Sequence, residues 1–310
     1  MSIVVVGSVA YDAIKSPSGS CPRCLGGAAT YFALAASYFT QVRVVAVVGE
    51  DFNQQDENVL RSRKVDTRGI EHAKGKSFFW SGEYGENLNE AKTLDTQLNV
   101  FQAFDPKVPQ EYLDSEFLFL ANIDPVLQGN VRRQMNGATR LVGGDTMNYW
   151  ITDAQHRQNL LQTLKGVDVL LINDSEAKML ARETSVPRAA QKVLQMGPRA
   201  LVIKHGEYGA TVFFKEGEFG GGRHPFRAPA LPLEEVRDPT GAGDSFAGGF
   251  MGYIASQGEL DRDVFKRAMF YGGVMGSFAV ERFGTERLQS LTRTEIDGRY
   301  QTFRELTHIG

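Results

Sequence analysis

The most informative stretch of this 310-residue chain is Asp238-Pro239-Thr240-Gly241-Ala242-Gly243-Asp244-Ser245-Phe246-Ala247-Gly248-Gly249-Phe250. Residues 241–243 open a predicted helix whose apolar face carries Phe246 and Phe250 at helical spacing. The first turn of a helix has unpaired backbone N–H groups and the positive end of the helix dipole. Because residues 241–243 carry no bulky side chain, an anion can approach these N–H groups directly. The stretch therefore predicts an anion site.

Asp244 lies in the first turn of this predicted helix, beside the anion site. A carboxylate next to an anion hole suits phosphoryl transfer to an alcohol, because it can orient the hydroxyl and accept its proton while the N–H groups stabilise the transferred phosphate. The alternative is a glycine-rich helix start whose acidic residue only complements the dipole. The tetrapeptide Gly-Ala-Gly-Asp arises by chance in about one chain in a hundred. The tetrapeptide alone therefore does not distinguish a catalytic site from a structural helix start, and the rest of the chain has to be considered.

Apolar runs and segments of helical period alternate through most of the chain. Strands are predicted at residues 3–6, 42–48, 117–120, 141–142, 167–172 and 200–203. Helices are predicted at residues 28–39, 126–135, 154–164 and 175–182, and after residue 237 at 241–255, 262–280 and 294–306. Continuous apolar strands separated by helices indicate a parallel sheet that is covered on both faces. The sequence therefore predicts a doubly wound α/β fold.

Residues 76–104 break this alternation, because they mix β-forming and polar residues in the way that is typical of a half-exposed sheet. We expect them to form a small antiparallel sheet, joined by residues 11–25, that acts as a lid over a pocket. A decorative hairpin or a dimerisation surface is the alternative. Phe78, Trp80 and Tyr84 share one strand face, where they could stack on a nucleobase or sugar, or pack a core or subunit interface.

Five motifs, taken in order, resemble those of the ribokinase-like (PfkB-type) family of carbohydrate and nucleoside kinases. Residues 238–249 are similar to its C-terminal motif, and Gly26-Gly27 to its di-glycine hinge. The other three similarities are Asp12 to the acidic substrate-binding position, Asn173-Asp174-Ser175-Glu176 to Asn-x-x-Glu, and Lys204-His205-Gly206-Glu207-Tyr208-Gly209 to the nucleotide turn Thr-x-Gly-x-x-Gly. The motifs span nearly the whole chain.

The resemblance implies one ribokinase-like domain over residues 1–310, a three-layer α/β/α sandwich with a mostly parallel central sheet and a small β-sheet lid. It implies ATP-dependent transfer of the γ-phosphate to a hydroxyl of a sugar, a sugar-like alcohol or a nucleoside. Asp244 would be the catalytic base, and Gly241, Ala242 and Gly243 would form the anion hole. The acceptor would bind to Asp12, Gly26, Gly27 and Asp244.

The resemblance also assigns a nucleotide site and two cation sites. ATP would bind to Asn173, Glu176, Lys204, Gly206, Gly209, Thr240, Gly241 and Gly243. Glu176 would help indirectly to place Mg²⁺, whereas Asp238 and Thr240 resemble positions that bind a monovalent cation such as K⁺ in some relatives.

The positions of three polar residues, taken without the resemblance, favour the same location for the site. Asp145, Asn173 and Lys204 each follow the carboxyl end of a predicted strand, which is the edge where open α/β sheets bind ligands. Two residues depart from the family pattern. Lys204 replaces a threonine, so its contact with phosphate would be charged, and Trp150 stands where many members have an arginine. The second departure weakens the case for an acceptor that needs a basic partner.

Composition excludes several other classes. The chain has 34 basic and 37 acidic residues, a net charge of −3, and no polybasic run, so no nucleic-acid partner is indicated. No apolar run approaches the ~20 residues that span a bilayer, and the N-terminus lacks the pattern of a signal peptide, so we expect a cytoplasmic protein. Cys21 and Cys24 have the spacing of a redox motif or half a zinc site, but without further cysteines we interpret them as incidental lid-loop residues.

The sequence is also compatible with two other functions and with a dimer. A nucleotide- or sugar-binding regulatory protein on the same scaffold, without turnover, is an alternative to the kinase. A phosphosugar kinase is another, although it needs a basic cluster beneath the lid, where only Arg23 and Lys92 stand out. A homodimer formed through the lid is expected by analogy.

Overall fold

The computed structural model describes residues 1–135, 137–220, 222 and 224–308. These residues form thirteen strands: β1 Ser2–Val6, β2 Ala10–Ser16, β3 Gly19–Gly26, β4 Gln41–Val48, β5 Asp66–His72, β6 Phe78–Tyr84, β7 Ala91–Gln97, β8 Phe117–Leu120, β9 Leu141–Gly144, β10 Val169–Asn173, β11 Ala200–Lys204, β12 Ala210–Phe214 and β13 Phe226–Ala228. They also form eleven α-helices: α1 Ala28–Ala36, α2 Gln54–Ser62, α3 Pro125–Gln134, α4 Asn148–Thr152, α5 Ala154–Thr163, α6 Asp174–Ala181, α7 Val186–Gln195, α8 Ala242–Gln257, α9 Arg262–Ala279, α10 Glu286–Gln289 and α11 Arg293–Thr307.

Nine of these strands form one twisted sheet in the order β13-β12-β11-β10-β9-β8-β1-β4-β5. Every neighbouring pair from β11 to β5 is parallel, whereas β12 and β13 run antiparallel at one edge. The predicted α/β class with a mostly parallel sheet is therefore confirmed.

Helices cover both faces of this sheet, which accounts for the apolar character of its central strands. In β1, Ile3 and Val5 face one core, formed with α1, α8, α9 and α11, while Val4 and Val6 face the other, formed with α3 and α5–α7. Fully burying such a side chain stabilises the fold by about 1.5–3 kcal/mol. Both faces of the strand therefore contribute, and the chain forms the predicted three layers.

The lid is a separate four-stranded sheet in the order β3-β2-β6-β7, built from the two segments that the sequence predicts. Two expectations are wrong: the lid is not wholly antiparallel, because β2 and β6 run parallel, and it does not continue to residue 104. β7 ends at Gln97, and a 3₁₀ turn, Asn99–Ala103, follows it. Asn99 has a φ of +48°, which ends extended structure, and its side-chain amide donates to the carbonyl oxygen of Ser77 at 2.9 Å.

Cys21 and Cys24 lie within strand β3, not in a loop, and a disulfide joins them. Their Cα atoms are 6.1 Å apart, whereas three residues of extended strand would span about 10 Å. The strand is therefore bent between them, opposite a register shift in β2 between Asp12 and Ile14. The interpretation of these cysteines as incidental loop residues is wrong in this respect, because spacing alone does not reveal a bent strand.

The sequence also failed to predict three strands of the main sheet, β5, β12 and β13. In the edge strand β5 only Thr67 and Ile70 are buried, so no continuous apolar run marks it. β13 has only three residues, and β12 returns directly after β11 instead of following a helix. None of the helices formed by the described residues is long and apolar enough to cross a bilayer.

Helix α8 packs on α1 through glycine. A Cβ atom added at Gly248 would lie 2.4 Å from the carbonyl oxygen of Phe32 and 2.8 Å from the Cβ atom of Ala35. Only a residue without a side chain allows the two helices to approach this closely, and this approach sets the position of the N-terminus of α8.

We predict that Gly248→Ala lowers the free energy of unfolding by about 2–3 kcal/mol, because overpacking outweighs the gain in helix propensity. The matched control is Gly298→Ala, since an added Cβ atom at this glycine of α11 meets nothing within 4 Å. That variant should gain up to about 1 kcal/mol. Urea unfolding measures both values, and equal changes in the two variants would refute the packing argument.

Candidate active site

Lys204 joins the carboxyl edge of the sheet to the start of α8. It ends β11 beside Asn173 of β10, and Asp145 follows β9 at the same edge. The Nζ atom of Lys204 lies 3.3 Å from an Oδ atom of Asp145 and 3.0 Å from the point where Gly243 would carry a Cβ atom. A buried cation therefore stands next to the predicted anion hole.

Gly241 has a left-handed φ of +72° where α8 begins. An added Cβ atom would lie 2.3 Å from Cγ of Tyr31, whose ring covers this residue. Backbone conformation and space thus both require glycine here. The N–H group of Ala242 already donates to the carbonyl oxygen of Pro239 at 3.2 Å, so of the predicted anion-hole residues in the first turn of α8 it is Gly243 whose N–H group remains for an anion.

The carboxyl group of Asp244 faces the same space from the first turn of α8. The residue keeps some access to solvent, but burial of the carboxyl group raises its pKa to about 7. The negative charge of Asp145 adds to this rise and the positive charge of Lys204 opposes it. A carboxyl group with a pKa near neutrality is well matched to accept a proton from an alcohol.

Asp12 of β2 forms the opposite wall, and it is 5% exposed. Gly26 lies directly against its carboxylate, and Gly27 precedes the first turn of α1, as the di-glycine motif predicts. Burial, together with the charges of Asp238 and Asp244, raises the pKa of Asp12 to about 7. The sequence-predicted acceptor residues therefore lie close to one another.

Asp238 is fully buried and ties two loops together. Its Oδ1 atom accepts from the N–H group of Thr240 at 2.9 Å, and its Oδ2 atom from that of Gly284 at 2.8 Å. The hydroxyl groups of Thr240 and Tyr84 share a hydrogen bond of 3.1 Å. Through Tyr84, the lid therefore touches the segment that leads into the anion hole.

Asn173 and Glu176 form a capping box at the start of α6. The side chain of Asn173 accepts from the N–H group of Glu176 at 2.7 Å, and the Glu176 carboxylate accepts from the N–H group of Asn173 at 2.8 Å. The motif therefore stabilises the start of α6 as well as supplying ligand-site residues. Burial raises the pKa of Glu176 to about 7, and the nearby charge of Asp145 adds to this effect. The carboxylate also faces the ligand edge.

The predicted nucleotide turn follows Lys204 directly. The N–H group of His205 donates to the carbonyl oxygen of Gly209 at 2.7 Å, which closes the turn. Gly206 lies against the side-chain oxygen of Asn89, a residue of the polar connection between β6 and β7. The tip of the lid therefore reaches the nucleotide side of the site.

Sequence reasoning missed two residues of the site, Tyr31 and Asn89, and left the role of Tyr84 open. Tyr84 belonged to the predicted aromatic face, whose first member, Phe78, instead stacks on Phe101 with ring centroids 5.3 Å apart. Tyr31 follows the di-glycine motif by four residues, so helical spacing could have placed it there. No sequence pattern marks Asn89.

Negative charge exceeds positive charge at this edge, since Asp145, Glu176 and Asp244 face the single ammonium group of Lys204. Among the described residues, no group of three or more histidine, cysteine or acidic side chains could hold a metal ion alone. Mg²⁺ typically keeps water and phosphate ligands and uses only one or two carboxylates. These residues fit such an ion, held mainly by nucleotide phosphates.

The raised pKa of Asp244 predicts how the free energy of unfolding depends on pH. A carboxyl group that titrates near 7 in the folded state but near 4 when unfolded stabilises the fold at low pH, and this contribution is lost as the pH rises through 7. Without nucleotide, Asp244→Asn should therefore raise the free energy of unfolding at pH 8 by about 2–4 kcal/mol, and by much less at pH 5.

The control for this prediction is Asp66→Asn. Hydrogen bonding with Arg68 lowers the pKa of Asp66 to about 2, so its carboxylate contributes stability above pH 4, which is lost as the pH falls towards 2. This variant should be less stable than the wild type at pH 8. Thermal unfolding between pH 5 and pH 8 measures both, and a destabilised Asp244→Asn protein at pH 8 would contradict the account.

Comparison with known proteins agrees with this geometry. Residues 2–291 match the model of the pfkB family of carbohydrate kinases. A cytidine kinase of Thermococcus kodakarensis is 30% identical over 255 residues, which cover 81% of this chain and 87% of that protein.

Solved structures share the fold. A nucleoside kinase of Methanocaldococcus jannaschii superposes with a TM-score of 0.75 at 19% identity, covering 97% of this chain and 98% of the other. A Vibrio cholerae fructokinase, solved with fructose, ADP and potassium ion, has a TM-score of 0.78 at 17% identity, covering 96% and 98%. The family match and the cytidine kinase together show that this chain belongs to the pfkB family of carbohydrate kinases.

Proposed function

We propose that this protein transfers the γ-phosphate of ATP to a hydroxyl group of a neutral, polyhydroxylated acceptor, either a sugar, a sugar-like alcohol or a nucleoside. One observation carries the proposal. Asp244, the N–H group of Gly243 at the start of α8 and the ammonium group of Lys204 lie together at the carboxyl edge of the sheet. This set combines a proton acceptor with the groups that stabilise a transferring phosphate.

In the proposed reaction the acceptor hydroxyl attacks the γ-phosphorus atom in line, the bond from phosphorus to the β–γ bridging oxygen breaks, and Asp244 accepts the hydroxyl proton. The first turn of α8 and Lys204 stabilise the negative charge of the phosphoryl group. Lys204 pairs with Asp145 at 3.3 Å, so its ammonium group is already oriented towards this space. Preorganised charge of this kind lowers the barrier without costly rearrangement.

The nucleotide is proposed to lie along Asn173, Glu176, Lys204, Gly206 and Gly209. Mg²⁺, when bound, would neutralise phosphate charge, with Asp145 and Glu176 as its acidic neighbours. Asp238 and Thr240 remain the proposed monovalent-cation residues, supported by the complete burial of the Asp238 carboxylate.

The acceptor is proposed to bind beneath the lid between Asp12, Gly26-Gly27 and Asp244. A phosphosugar is disfavoured, because the guanidinium group of Arg23 lies 3.7 Å from the centre of the Tyr11 ring and 3.0 Å from Asp51. Lys92 lies on β7, all seven residues of which are exposed. These two basic residues are therefore not arranged as a phosphate-binding cluster.

Trp150, which stands where many family members have an arginine, also argues against a phosphosugar. Trp150 donates its indole N–H to Asn122 at 2.9 Å and supplies no charge. Nucleosides are the first acceptors to test, because the similar cytidine kinase acts on one and because Trp80 pairs in register with Asp12 and so shares its face of the lid. The lack of charge on Trp150 and the similarity to a cytidine kinase both favour a neutral acceptor.

Three expectations remain predictions. Dimerisation through the lid is supported by the exposed edge strand β7, where Leu94 is 53% exposed. The single-domain division and the cytoplasmic location also stay predictions. A binding protein without turnover is disfavoured by the presence of Asp244, the open helix start and Lys204 together.

Asp244→Asn should lower kcat by about 100-fold or more while nucleotide affinity stays within about threefold, because the amide fills the same space but cannot accept the proton. The measurement is coupled ADP release with Mg²⁺ and ATP against cytidine, adenosine, D-ribose, D-fructose, myo-inositol and fructose 6-phosphate. Wild-type turnover of a neutral acceptor that persists in the variant would remove Asp244 from the mechanism. Preferred turnover of fructose 6-phosphate would overturn the neutral acceptor.

The pH profile should reveal Asp244, since the base must be ionised and its pKa is about 7. We expect kcat/KM to fall as the pH drops below about 7, and Lys204→Met to move this limb to higher pH by removing the charge that lowers the pKa. Lys266→Met, on the exterior of α9, is the control and should leave the limb in place. An unshifted limb in Lys204→Met would separate Lys204 from the base.

A further inference from the structure

The disulfide between Cys21 and Cys24 in strand β3 can be reached from solvent at Cys21. This residue is partly exposed and lines an open groove of about 910 Å³, whereas Cys24 is 7% exposed. The groove lies between β3 and residues of the segments 233–237 and 281–287, and none of the residues proposed to bind the acceptor or the nucleotide lines it. A thiol can therefore approach Cys21 without entering the active site.

General stabilisation does not explain this disulfide. Cys21 and Cys24 are three positions apart, so the bridge closes a very short loop and removes little conformational entropy from the unfolded chain. In a reducing compartment, which we expect for this protein, disulfides are usually transient and either catalytic or redox-sensing. A local effect of the bridge on the folded protein is therefore the better explanation.

The bridge lies next to the proposed acceptor wall. Cys24 pairs in register with Asp12, and two residues further along β3 a Cβ atom added at Gly26 would lie 1.9 Å from Oδ2 of Asp12. The bridge holds the Cα atoms of Cys21 and Cys24 6.1 Å apart, and this bend lies opposite the register shift that follows Asp12. It therefore fixes how β3 approaches the Asp12 carboxylate.

Cys24 also touches the loop that holds Asp238. A Cβ atom added at Gly284 would lie 2.7 Å from Cβ and 3.3 Å from Sγ of Cys24. The N–H group of Gly284 donates to the buried carboxylate of Asp238 at 2.8 Å. The bridge is therefore in contact with both of the segments that place a carboxylate on the acceptor side.

We propose that Cys21–Cys24 is a site of thiol–disulfide exchange, and that its reduction by a dithiol loosens the wall that Asp12 and Gly26 form. Only the assignment of this wall to the acceptor rests on the proposed kinase function. Without the bridge, β3 is free to straighten towards the ~10 Å that three residues of extended strand span. This straightening changes the position of Cys24 relative to Asp12 and Gly284.

The exchange takes place in two steps. A thiolate of the dithiol attacks Sγ of Cys21, the disulfide bond breaks, and the sulfur atom of Cys24 leaves and takes up a proton. The second thiol of the reductant, once deprotonated, attacks the mixed disulfide and releases Cys21, which is also protonated. Two electrons pass from the dithiol to the protein, and the reductant becomes a disulfide.

Thiol labelling tests the exchange site, because Cys21 and Cys24 are the only cysteines of the chain. After treatment with oxidised dithiothreitol, the denatured protein should react with no iodoacetamide, and with two equivalents if the native protein is first incubated with dithiothreitol or reduced thioredoxin. Faster reduction by thioredoxin at equal concentration would assign the site to a protein dithiol, and equal rates to a small dithiol. A bridge that does not form, or that resists both reductants in the native protein, would overturn the proposal.

Amide hydrogen exchange tests the loosening without any substrate. Reduction should accelerate exchange about tenfold or more at residues 24–26 and at Gly284, and leave helix α11 unchanged, because only the first two segments touch the bridge. The control is Cys21→Ser, which should show the fast exchange in the presence and absence of dithiothreitol. Equal exchange in the oxidised and reduced wild type would refute the loosening.

Kinetics connect the bridge to the proposed function, with whichever of cytidine, adenosine, D-ribose, D-fructose and myo-inositol the wild type phosphorylates best. Reduction should raise the KM of this acceptor about fivefold, because the wall is then correctly formed only part of the time, while kcat and the KM of ATP stay within about twofold. Reoxidation should restore the KM, and dithiothreitol should not change the KM of Cys21→Ser.

The outcomes separate the two proposals. An acceptor KM that is equal in the oxidised and reduced wild type would overturn the effect of the bridge and leave the kinase proposal intact. Failure of both forms to phosphorylate any of the five acceptors would count against the proposed function, whereas thiol labelling and hydrogen exchange would still decide whether the bridge is a redox site that controls this wall.

Discussion

The burial of several carboxyl groups around one ammonium group is the constraint on which the site depends. Asp145, Glu176 and Asp244 share Lys204, and Asp12 and Asp238 lie on the other side of the same space. Removing carboxylates from water costs free energy unless cations compensate them. The free protein meets this cost in part by raising pKa values, so that protons remain bound near neutral pH. A ligand that brings positive charge would relieve it.

The fold imposes this arrangement through three separate features. Parallel strands bring Asp145, Asn173 and Lys204 to one edge, since their carboxyl ends coincide. The close contact of α8 with α1 at Gly248 directs the open helix start towards that edge. The lid closes the remaining side through Tyr84 and Asn89. No one of these features would enclose the space alone, which explains why the site needs the whole chain.

The sequence predicted what local patterns determine. The glycine-rich helix start, the acidic residue in its first turn and the residues after three strands could all be located, because each depends on neighbours in the chain. The contact of Tyr31 with Gly241, the reach of Asn89 to Gly206 and the bend between Cys21 and Cys24 could not, because each arises from segments that are distant in sequence or from a register shift. The edge strand β5 could not be predicted for a different reason, because it has no continuous apolar run.

Calorimetry of Mg²⁺–ADP binding, in buffers of different ionisation enthalpy, tests the central claim most directly. If Glu176 has a pKa of about 7 in the free protein, binding at about pH 6.5 should release up to about one proton per nucleotide, because Mg²⁺ favours the ionised carboxylate. At about pH 9 the release should disappear. Nucleotide binding without proton release at the lower pH would show that the carboxyl group does not change its protonation on binding, and would contradict the account.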